Sequence, residues 1–230
     1  MSDNQNQGGR FEPTHEAHAI EQVLFALQID RPLDDVTFSE ARKVAEQFQS
    51  ELPGRAEIQG FALAIGPGAP IGAIPPGPIA GSVFRRAGPD GTIESELRIE
   101  RASVTFRTTL YTRWDAVWTN ARKYFDAVIP KYVSQASISG ISLNFVDKFA
   151  WIGKTTECQP HLLLREGSKY LCPHVYTAQD LWHSHTGVFL RVDNVTKRLL
   201  NINVDCVDEN RPNGLRRVIA ITTVLTDLIN

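Results

Sequence analysis

Apolar residues alternate along the first ordered stretch of the chain, Ala19 to Asp30. Val23, Phe25, Leu27 and Ile29 fall two apart, the period of a strand with one buried face. Arg31-Pro32 ends it, because proline cannot donate to a central ladder. From Phe38 to Leu52 the period changes: Phe38, Ala41, Ala45, Phe48 and Leu52 lie three or four apart. That spacing predicts an amphipathic helix, capped by Thr37 or Ser39 and stopped by Pro53-Gly54. Glu57 to Ile65 reads as a strand. Gly81 to Arg86 and Thr92 to Glu100 read as hairpin arms around Ala87-Gly88-Pro89-Asp90-Gly91. In the second arm Ile93, Ser95, Leu97 and Ile99 alternate with Glu94, Glu96, Arg98 and Glu100. One face of that strand is wet, which points to an antiparallel sheet.

The same grammar continues. Ser103 to Leu110 is a strand, and Arg113 to Val133 a helix whose apolar stripe is Trp114, Val117, Trp118, Ala121, Phe125, Val128 and Tyr132. Ile138 to Phe149 is a strand with Ile141, Leu143, Phe145 and Asp147 on one face. Cys158 to Asp180 shows no clear period. Thr186 to Asp193 and Leu199 to Asp205 pair around Asn194-Val195-Thr196-Lys197, and Leu215 to Leu225, rich in β-branched residues, is a last strand. The expected fold is α+β. It is a mostly antiparallel, curved sheet built from two β-α-β-β-β-like halves (19–100 and 103–225), with two long helices on its dry face. Residues 1–17, rich in Asn, Gln and Gly, read as a disordered lead-in to a single domain over 18–230.

Composition narrows the function classes. Hydrophobic residues make up 42% and charged residues 22% of 230 residues, which excludes a disordered chain, a coiled coil and a disulfide mini-protein. A net charge of -2 gives no reason to expect nucleic acid as a partner. Three cysteines are an odd number in a chain able to build its own core, so a reducing cytoplasm is the expected compartment. The N-terminus lacks the basic and apolar regions of a secretory signal. No apolar run reaches the ~18 residues of a spanning helix, so no membrane partner is expected.

Several segments carry a resemblance. HAIEQVLFALQIDRPL, YTRWDAVWTNARKYFDAVIPKY leading into ISGISLNFVDKF, and LLNINVDCVDE before the final strand resemble a sporadically distributed family of uncharacterised prokaryotic proteins of about 250 residues. The likeness runs from about His18 to Leu225 and rests on apolar and aromatic positions. It implies no established activity and no site residues. It also implies a C-terminal helix after the last strand, whereas this sequence ends at Asn230, and an association with mobile or antiviral-defence gene content.

Candidate chemistry is sparse. Cys158, His161, Cys172, His174, His183 and His185 are the one concentration of metal-capable residues, but their spacings match no paired zinc knuckle. The reading is therefore no metal, with His183 and His185 bonding locally at the start of a strand. Asp147, mid-strand in an apolar run, needs a cationic partner if buried. The loop Gly66 to Gly81 has five prolines and five glycines. It lacks a phosphate-binding motif, and prolines delete the N–H groups such a cradle uses, so no cofactor is expected. What remains is a non-enzymatic protein-binding or regulatory component, working through a protein partner or self-association. Ile71, Ile74 and Ile79 of that loop are the expected contacts. The rival is an enzyme or small-ligand binder, with a pocket between sheet and helices that uses Asp147, His183 and His185.

Overall fold

The computed structural model describes residues 9–60, 79–211 and 214–229. The fold is α+β. The described elements are β1 (Arg10–Pro13), β2 (Ile20–Ile29), α1 (Asp35–Glu46), β3 (Gly54–Gln59), β4 (Ile79–Ala87), β5 (Ile93–Glu100), β6 (Ser103–Thr108), α2 (Trp114–Val133), β7 (Ile138–Ile152), β8 (Trp182–Arg191), β9 (Thr196–Arg211) and β10 (Gly214–Ile229). In hydrogen-bonding order the strands run β3-β4-β5-β6-β2-β7-β10-β9-β8, and β1 pairs β7. The chain forms two compact units, residues 24–141 and residues 142–228 with the N-terminal residues to Val23. This division differs from halves at 19–100 and 103–225, because α2 packs on α1 within the first unit.

In the unit 24–141, period-2 burial is strict: Ser95, Leu97 and Ile99 of β5 and Val104, Phe106 and Thr108 of β6 are all buried. They share one face because Leu97 pairs with Phe106 and Ile99 with Val104. Phe38, Ala41 and Ala45 of α1 and Val117, Ala121, Tyr124, Phe125, Val128 and Tyr132 of α2 supply the other half of the core. The helix boundaries differ from the periodicity. Asp34, not Thr37 or Ser39, is the N-cap of α1, and its Oδ1 accepts from the Thr37 N–H at 2.8 Å. The helix ends at Glu46. The chain then tightens into turns, with N–H groups of Phe48 and Gln49 bonding three residues back, so Phe48 and Leu52 are still buried ahead of Pro53. Trp114 and Trp118 also depart from the core expectation. Both are 41% exposed and lie parallel, 6.2 Å apart, with Phe25 against both rings.

In the other unit the expected lead-in contains a strand. β1 pairs antiparallel with β7, and Phe11, opposite Trp151, meets its ring edge-on at 5.1 Å. Burial of the Trp151 indole is what orders these residues, a long-range gain that local composition does not reveal. The segment without a clear period, Cys158 to Asp180, lies within 153–181, where the chain makes three short 3-10 turns, Thr155–Glu157, Pro160–Leu162 and Pro173–Tyr176. Its Leu164 and Val175 pack with Trp182, Val204, Cys206 and Ile219. No helix of the described residues is long and apolar enough to cross a membrane.

Candidate functional site

Ile71 and Ile74 lie outside the described residues. Ile79 opens β4, where it pairs with Gln59 and is partly buried. It is a strand residue, not a loop tip.

His183, His185 and Asp147 all lie in the unit that contains neither α-helix. Cross-strand side-chain bonds show which residues share a face. Arg217 bonds Asp208 and Arg198 bonds Asp227, whereas Lys148 bonds Glu209 and Ser142 bonds Thr226. Asp205 has the parity of Glu209, and Asp147 is one residue off Lys148. Asp147 therefore lies on the opposite face from His183 and His185. Burial raises its carboxyl above the ordinary value, and nearby His18 acts in the opposite sense. Among the described residues no Lys or Arg forms an ion pair with it.

The histidines sit where alternation predicts. On β8, Trp182 and Ser184 are buried while His183 and His185 are exposed, opposite Asp205 and Asn203 of β9. His183 Nδ1 lies 2.6 Å from Asp205 Oδ1, and Asn203 Nδ2 donates to Asp205 Oδ2 at 2.9 Å. Asp205 thus orients the imidazole and leaves Nε2 outward, a geometry suited to holding or moving a proton. Among the described residues no hydroxyl or thiol hydrogen-bonds this ring.

The far end of the same hairpin is different in kind. β8 is the last strand of the sheet. Toward its start the 153–181 segment covers one face. There the Cys172 N–H donates to Ser184 Oγ at 3.4 Å and Thr186 Oγ1 donates to the Tyr170 carbonyl at 2.9 Å. That cover stops short of the hairpin end. Phe189 is 65% exposed, and Leu190, Val192 and Val195 are exposed as well. Phe189 and Leu190 are adjacent in a strand, so they project from opposite faces. The turn beyond them is fixed: Asp193 Oδ1 accepts from the N–H groups of Val195 at 2.8 Å and Thr196 at 2.7 Å. These bonds, Val195 first, hold the Asp193 carboxyl below its ordinary value. Arg191 stands directly opposite Lys197, and neither is in an ion pair among the described residues. Periodicity carried a signal here that went unread, since Val188-Phe189-Leu190 places three apolar residues in a row in a strand that alternates before it. Comparison of the chain with protein-family models and with curated proteins finds no match to either.

Proposed function

We propose that this chain is a non-enzymatic protein-binding component that captures an extended segment of a partner protein along β8 and its hairpin end. The observation that carries the reading is the exposed apolar set of Phe189 and Leu190 on the terminal strand of the sheet and Val192 and Val195 in the turn that follows it. A terminal strand offers unpaired backbone N–H and C=O groups, and a partner strand satisfies them while its side chains fill adjacent pockets. Charge selects the occupant. Arg191 and Lys197 are like charges in directly opposed positions, an arrangement that costs stability when nothing neutralises it. A second copy would bring two more cations to the same place. A segment alternating apolar residues with Asp or Glu instead supplies the missing carboxylates.

Selection from a random peptide display library tests this. Wild-type protein is expected to enrich apolar–acidic sequences, Phe189→Ser/Leu190→Ser to enrich none, and Arg191→Glu/Lys197→Glu to shift the enrichment toward basic sequences. Equal enrichment on all three proteins, or none on the wild type, rejects the reading. Concentration-dependent dimers seen by sedimentation and abolished by the serine variant would replace the peptide with a second copy.

A further inference from the structure

A second feature lies apart from the hairpin end, where the 153–181 segment packs on the sheet. Leu163, Leu171, Ile202 and Ile221 pack against the buried Leu164 and Val204, yet each of the four stays partly exposed. Together these six side chains line a cavity of about 220 Å³. Two parts of the chain build it. Ile202 and Val204 are two apart on β9 and share a face, and Ile221 comes from the neighbouring strand β10. The leucines come from the covering segment, which the Thr186 Oγ1 bond to the Tyr170 carbonyl ties to β8.

The rest of the lining is of another kind: Arg165, Ser168 and Tyr170. Arg165 is exposed, so it belongs to the rim. One turn holds it beside Ser168, whose N–H donates to the Arg165 carbonyl at 3.2 Å. Between them Gly167 has a φ of 72°, the left-handed backbone that glycine adopts without strain. The Tyr176 hydroxyl donates to the same Arg165 carbonyl. Ser168 Oγ accepts the Tyr170 N–H at 3.3 Å, and its own proton has no acceptor among the described residues. Arg165 is in no ion pair among the described residues. A second cation is close, since Lys169 Nζ lies 5.0 Å from the centre of the Tyr170 ring. The turn's one carboxylate, Glu166, does not line the cavity.

We propose that this cavity binds a straight-chain aliphatic carboxylate of about eight carbons, a length scaled from the ~150 Å³ apolar cavity that takes up the six carbons of benzene. The chain lies among the leucines and isoleucines and removes their remaining apolar surface from water. The carboxylate meets the Arg165 guanidinium and the Ser168 O–H, both charge-assisted bonds. An apolar cavity with a cation and a hydroxyl donor at its rim suits neither a neutral hydrocarbon nor a small anion. It suits a molecule that carries both parts. None of the lining residues belongs to the exposed set at the hairpin end, so this site stands or falls apart from the peptide reading.

Titration calorimetry of the full chain, stripped of bound lipid, with butanoate, hexanoate, octanoate and octanol provides the test. Affinity is expected to rise about fourfold per added methylene from butanoate to octanoate, and octanol to bind roughly tenfold more weakly than octanoate. In Arg165→Gln, a change at an exposed side chain, the preference for octanoate over octanol should vanish. Absence of octanoate binding overturns the proposal. So does butanoate binding as tightly as octanoate, because a charge on the surface would then explain it without the cavity. An unaltered octanoate preference in Arg165→Gln removes the assigned head-group contact and overturns it as well.

Discussion

Asp147 shows how one residue can be read correctly and still be misassigned. Its place in an apolar run marks a carboxylate with a desolvation cost, and that cost is present, since burial raises its carboxyl. What the run could not show is the face, which is set by pairing with strands far away in sequence. The consequence is a pH dependence. A raised folded-state value means that the ionised form is disfavoured by folding, so stability declines as pH rises through that value. Asp147→Asn removes the charge. It is expected to melt above wild type at pH ~7 and level with it at pH ~3, below the usual carboxylate range near ~4. Thermal unfolding at the two pH values checks this, and a lower melting point for the variant at neutral pH would mean that the carboxylate anchors something after all. Asp34 behaves oppositely. Its bond from the Thr37 N–H, and then Gln135, hold its carboxyl low. Asp34→Ala is expected to lower the urea midpoint, as loss of an N-cap does.

At the scale of elements, strands with one wet face were the most legible. The alternation in β2, β5 and β6 is reproduced residue by residue in their burial, because a period of two leaves no freedom once one face is dry. Helix ends were less legible, since Asp34 lies outside the apolar period and only its cap geometry identifies it. The tryptophans of α2 matched the helical stripe yet stayed half exposed, over Phe25. Spacing fixes the direction of a side chain, not what lies in front of it. Fully enclosed positions are a different matter. Phe106 is 0% exposed and its ring lies 4.9 Å from that of Tyr124, so Phe106→Ala is expected to destabilise by about 3–5 kcal/mol. Trp118→Ala, from a half-exposed site, should cost clearly less. Reversal of that order in denaturant melts would show that the aromatic stack, not the sheet face, is the core of this unit.

At the scale of the molecule, the fold class is legible in the sequence and the proposed binding surface is not. Periodicity identifies elements that bury a face, whereas the proposed surface, the hairpin end of β8 and β9, leaves apolar residues exposed. The sequence points to Gly66 to Gly81 as the partner contact, and of its candidate residues Ile71, Ile74 and Ile79 only Ile79 falls among the described residues, inside β4. Among the described residues, Phe189, Leu190, Val192 and Val195 are exposed beside two opposed cations. The most direct measurement is binding of a library-selected apolar–acidic peptide to wild type and to Phe189→Ser/Leu190→Ser, paired with the melting temperature of each. Two exposed positions away from the core should leave stability within about 0.5 kcal/mol, while loss of a binding centre weakens affinity by roughly 30-fold or more. A stable variant that no longer binds is the predicted result. A variant that binds as tightly as wild type, or that loses binding only because it unfolds, would contradict the account.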